Sequence, residues 1–151
     1  MKNALKAAKQ SISRSLTEEY YLKQGEINRS IKPGISAKTT KYHTSFIKIT
    51  GQRLSLEHYK LSPSKRGKKP KTLYGAVKRE GGLKSLGSAF LYAPHGKYKP
   101  FQRIGSPRLP IEKLVGPAIP QLVQWNERLQ ERAIAEARNE LLNALREVSM
   151  K

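Results

Sequence analysis

Between Arg108 and Gln121, three prolines and one glycine divide a stretch carrying Leu109, Ile111, Leu114, Val115 and Ile119. Proline fixes φ and removes a backbone donor, so the run excludes an ordinary helix or a central strand. Its side chains are too apolar for a solvent loop. The combination predicts a rigid connector leading into a long helix, either docked on its own core or presented to another subunit.

Charge is the second constraint. Thirty Lys/Arg oppose 11 acidic residues, all glutamate, for a formal net charge of +19. Residues 1–120 hold 25 basic residues against 6 Glu, whereas residues 121–151 hold 5 of each, so a basic body carries a neutral tail. Such an excess attracts polyanions, chiefly by releasing counterions from nucleic acid. Plain solubility or an acidic protein partner are the alternatives. The lack of aspartate excludes metal sites and acid–base pairs built on it. The lack of cysteine excludes disulfides, thiolate metal sites and cysteine nucleophiles. No apolar run approaches the ~20 residues of a membrane span, and Met1–Lys6 has no apolar signal core. Action or assembly in the cytoplasm is expected.

Length and pattern predict a single α+β domain over residues 1–151. An N-terminal helical segment occupies residues 1–31. Leu5, Ala8, Ile12, Leu16 and Tyr20 share one face of a helix over 2–22, with Lys6, Lys9 and Arg14 on its flank. Gly25 is expected to break it, and Lys32-Pro33-Gly34 to end helical structure. An antiparallel sheet follows over 38–105. Its expected strands are Tyr42–Thr50, Arg53–Leu61, Leu73–Lys78, Ser88–Tyr92 and Lys99–Ile104. After the connector at 106–120, a helix over 121–149 carries a stripe of Leu122, Leu129, Ala133, Ala137, Leu141, Ala144 and Val148. At about 40 Å it exceeds the width of a small sheet, so part of it is expected to project or meet a neighbour.

The loop between the second and third strands contains Lys65, Arg66, Lys68, Lys69 and Lys71 without an acid. It suits phosphate contact without sequence reading, since nothing nearby resembles a base-edge reader. A solvated loop, or one ordered by a protein partner, is the other reading. The tyrosines at 20, 21, 42, 59, 74, 92 and 98 fall mostly in strands or at helix ends, where packing is commoner than single-strand stacking. His43, His58 and His95 lack metal-ligand spacing, and no nucleophile with an orienting acid is apparent. No enzyme activity and no cofactor are expected.

From about Leu54 to Trp125 the chain resembles the phage minor tail protein Z family, also described as tail completion proteins. The resemblance rests most on Arg108-Leu109-Pro110-Ile111, then Leu114, Gly116-Pro117 and Pro120-Gln121. Gly87-Ser88-Ala89-Phe90-Leu91 is similar to the family's glycine–alanine–phenylalanine strand, with one extra residue. Lys99–Arg103 and the Leu54–Tyr59 segment before the basic loop also fit. The resemblance implies a structural virion protein that completes the head-proximal end of a tail and assists head–tail joining around the DNA conduit. It implies assembly in the bacterial host cytoplasm into a ring, sixfold expected and twelvefold possible. Tail tube, tail terminator or head-completion proteins would be neighbours, with genomic DNA close by and no membrane. Residues 65–71 would face the lumen or dock on the tube. Composition alone also leaves open a small basic nucleic-acid-binding module, ribosome-associated or DNA-binding.

Overall fold

The computed structural model describes residues 2–39, 42–67 and 72–149. The fold is α+β, with an N-terminal helix, small antiparallel sheets and a long C-terminal helix. It divides into two compact units, one formed by Met1–Thr17, Gln24–Gln52 and Ile119–Lys151, the other by Glu18–Lys23 and Arg53–Ala118.

In the first unit, α1 (Lys2–Glu19) buries Ala8, Ile12 and Leu16 of the expected stripe. Ala4, Ser11 and Ser15 widen that buried face with small side chains. Residues 20–23, not Gly25, interrupt the helix, and Gly25 sits in the first turn of α2 (Gln24–Ser30). Lys32-Pro33-Gly34 ends helical structure but does so inside a strand, β1 (Ile31–Thr39), which pairs antiparallel with β2 (Tyr42–Ile49). A two-stranded ribbon has only edge strands, so Pro33 has no interior ladder position to vacate. The Phe46 ring covers Gly34 directly across the ribbon.

The expected helix over 121–149 is two helices, α3 (Ile119–Gln124) and α4 (Glu127–Ser149). Asn126 ends one and starts the other: its Oδ1 accepts from the Leu129 amide at 3.1 Å, satisfying an orphan donor of the new helix. Gln130 Nε2 reaches back to the carbonyls of Val123 (2.9 Å) and Gln124 (3.3 Å), sealing the end of α3. With 23 residues, α4 is about 34 Å long. Leu122, Leu129 and Ala133 are buried, but the stripe then emerges. Ala137 is half-buried, Leu141 and Val148 are 39% and 75% exposed, and Ile134 and Leu145 beside the stripe are 60% and 64% exposed.

The second unit holds two three-stranded antiparallel sheets, so the strands expected in one sheet are divided. One sheet joins β3 (Lys60–Ser62), β4 (Tyr74–Ala76) and β5 (Lys84–Ser85), in that order. The other joins β6 (Phe90–Tyr92), β7 (Lys99–Arg103) and β8 (Ile111–Lys113). Arg53–Leu61 is not the continuous strand expected. Ser55 makes one bridge to Val115, then bonds through its hydroxyl to the Glu57 carboxylate, and a 3₁₀ turn follows over Leu56–His58. Local side-chain bonding of this kind competes with extension of a ladder. Likewise, β6 starts at Phe90 and not Ser88, because Gly87 turns the chain at φ +59°. Leu73, Ala89 and Leu91 form a buried cluster in this unit, with Leu61, Leu86 and Leu114 packed on it.

Candidate functional site

The proline-rich connector is divided by burial. Arg108, Leu109 and Pro110 are exposed, Leu109 at 68%, whereas Leu114 packs on the Leu73–Leu91 cluster and Gly116 is buried. Pro120 belongs to the first unit, inside the first turn of α3, where a missing N–H costs nothing. The prolines serve as acceptors. The carbonyls of Pro100, Pro110 and Pro117 take hydrogen bonds from the Leu114 amide (2.9 Å), the Ile104 amide (3.1 Å) and the Tyr59 hydroxyl (2.6 Å). Between Pro110 and Pro117 the chain has room for β8, an edge strand, which is the place that proline tolerates.

Tyr59 fastens the buried half. It is 7% exposed, and burial, with Tyr20 beside it, pushes its phenol from 10.0 up to about 12. The folded state holds this proton more tightly than the unfolded chain. Its stabilising effect is therefore complete below pH 10 and is lost as pH rises toward 12. Tyr59→Phe is expected to cost about 1 kcal/mol at pH 8 from the lost hydrogen bond. It should also remove a decline of up to about 1.4 kcal/mol per pH unit between pH 10 and 12. Urea denaturation across that range tests this, and identical declines in the two proteins would refute it.

Of the basic loop, Lys65 and Arg66 are exposed, while Lys68, Lys69 and Lys71 lie outside the described residues. Arg66 does not stand apart from the connector. With Arg108, Leu109 and Ile111 it lines a cavity of about 580 Å³, and Phe90, Tyr92 and Arg103 complete much of its wall. Two segments distant in sequence thus contribute to one site. Its volume lies in the ordinary range for ligand pockets, but its guanidinium content is unusual.

No family model, curated protein or solved structure matches this chain.

The remaining singled-out residues are dispersed. His58 Nε2 lies 4.0 Å from the Glu57 carboxylate, and His95 is exposed in a turn; the described residues contain no group of three or more His, Cys, Asp or Glu able to hold a metal. No helix of the described residues is long and apolar enough to cross a membrane. Tyr20 is buried, whereas Tyr74, Tyr92 and Tyr98 are exposed. In the first unit, the basic flank of α1 opens on a polar groove of about 690 Å³ lined by Lys6, Lys9, Arg14, Gln24 and Asn28. The cations on α1 are placed by helical spacing and α2 falls within the expected helical segment over 1–31, but the groove between the two helices is not visible in the sequence.

Proposed function

We propose that the chain is a structural virion protein of a tailed phage or prophage, completing the head-proximal end of the tail and assisting head–tail joining around the DNA conduit. The observation carrying this reading is the long α4 helix, whose apolar stripe is buried as far as Ala133, half-buried at Ala137 and exposed from Leu141 to Val148. A contiguous apolar stripe of this kind marks a protein–protein contact. In a ring, each copy offers one surface to a different surface of the next. The exposed Arg108-Leu109-Pro110 corner, at the heart of the family resemblance, supplies a second contact for a neighbouring neck or tail protein. The net charge of +19 suits a conduit for DNA that is passed and not read.

Mass measurement and negative-stain imaging of the purified chain should reveal a closed ring. A chain that stays monomeric at all concentrations and binds nucleic acid with a steep salt dependence would favour the small nucleic-acid-binding module. In a producing phage, serine at Lys65, Arg66, Lys68, Lys69 and Lys71 together should lower infectious titre by blocking tail joining or DNA passage. An unchanged titre would remove this loop from the function.

A further inference from the structure

We propose that the outer face of the β6–β7–β8 sheet binds single-stranded nucleic acid, taking bases on its aromatic rings and phosphates on the cations between them. The register determines what shares that face. Phe90 pairs with Phe101 and Phe101 with Lys113, while Tyr92 pairs with Lys99 and Arg103 with Ile111. Directly paired residues of an antiparallel sheet point to the same side, as do residues two apart on one strand. One face therefore presents Phe90, Tyr92 and Phe101 with Lys99, Arg103 and Lys113. Glu112, the acidic residue of these strands, pairs with Gln102 on the opposite face.

The rings are arranged as a platform and not as a core. Phe90 and Phe101 stack at 6.5 Å with 28° between their planes, and Tyr92 meets Phe101 edge-on at 5.8 Å. Tyr92 is 46% exposed, and Phe90 and Phe101 are only half-buried. Each ring has a cation beside it: Arg103 lies 5.7 Å from the centre of Phe90, Lys99 is across from Tyr92, and Lys113 is across from Phe101. This alternation of flat apolar surface and positive charge matches the repeat of base and phosphate along a single strand. Arg66 and Arg108 continue the positive charge around the adjoining cavity. Residues 53–118, which carry the sheet, hold 15 Lys/Arg against 3 Glu. A duplex keeps its bases stacked inside and gives these rings nothing to hold. The face has no amide side chain set for base edges beyond these cations, so little sequence preference follows.

The site does not depend on ring assembly, and a monomer bearing it binds equally well. Fluorescence anisotropy with the full chain, a labelled oligothymidylate and a duplex of equal length tests it. Phe90→Leu with Tyr92→Leu keeps apolar bulk but removes two π-faces. It should weaken single-strand binding about tenfold or more while leaving duplex binding and the salt slope unchanged. Tyr92→Phe should bind as the parent does. Lys99→Gln with Arg103→Gln should reduce the logarithmic salt slope by about 1.4. Ultraviolet crosslinking of the unaltered protein to oligothymidylate should place adducts on Phe90 or Tyr92, which decides the matter even if a leucine variant fails to fold. Adducts elsewhere, unchanged affinity in a folded double variant, or preference for the duplex would overturn the proposal. So would displacement of the strand by an acidic aromatic peptide that binds more tightly and needs the same rings, which would give the face to a protein partner.

Discussion

Gly116→Ala is expected to destabilise the second unit by about 1–3 kcal/mol, and Gly116→Val by more. A β-carbon at Gly116 would lie 2.6 Å from Cε2 of Tyr59, with two further ring atoms at 3.1 and 3.3 Å. Neither side can retreat. The Tyr59 ring is buried and its hydroxyl is anchored on the Pro117 carbonyl, while the Gly116 amide is held by the Leu54 carbonyl at 2.7 Å. Gly34 provides the control. A β-carbon there would come closer still, 2.5 Å from Cζ of Phe46, but that ring is 44% exposed and can swing outward. Gly34→Ala should therefore change stability by no more than about 0.5 kcal/mol, the usual range for surface positions. Urea denaturation of both alanine variants separates the two cases. Equal losses would show that closeness alone sets the cost, and that the Tyr59 anchor is irrelevant.

The same contrast explains what the sequence reveals and what it hides. The buried face of α1 and the strand at Tyr42–Ile49 are legible because periodicity reports which side of a local element is apolar. The break at Asn126 is not, since Leu122 and Leu129 are seven apart and remain in phase across it. Pro33 and Pro110 discourage strand assignments, yet β1 and β8 are edge strands, and edge status is a property of the finished sheet. The candidate site was legible only in parts. Phe90 and Tyr92 alternate visibly, and the basic loop is plain from composition. Their alignment with Phe101, Arg103 and Lys113, and the meeting of Arg66 with Arg108, depend on register and long-range folding that no local pattern encodes.

Along α4, equivalent apolar residues should have opposite effects according to their turn of the helix. Leu129 is 1% exposed, and its truncation to alanine should cost about 2–5 kcal/mol through lost transfer energy and a residual cavity. Val148, on the continuation of the stripe, and Leu145 beside it are mostly exposed and leave almost nothing to lose within one chain. Leu145→Ser with Val148→Ser should keep unfolding stability of the isolated chain within about 0.5 kcal/mol per site. Burying a leucine-sized side chain in a subunit contact is worth about 1.5–3 kcal/mol, so removing two from every copy of a ring repeats that loss at each interface. The proposed assembly should then dissociate to monomers, seen as a fall in mass by light scattering, while the far-ultraviolet circular dichroism stays native. A Leu145/Val148 double variant that remains a ring would move the contact between copies away from α4.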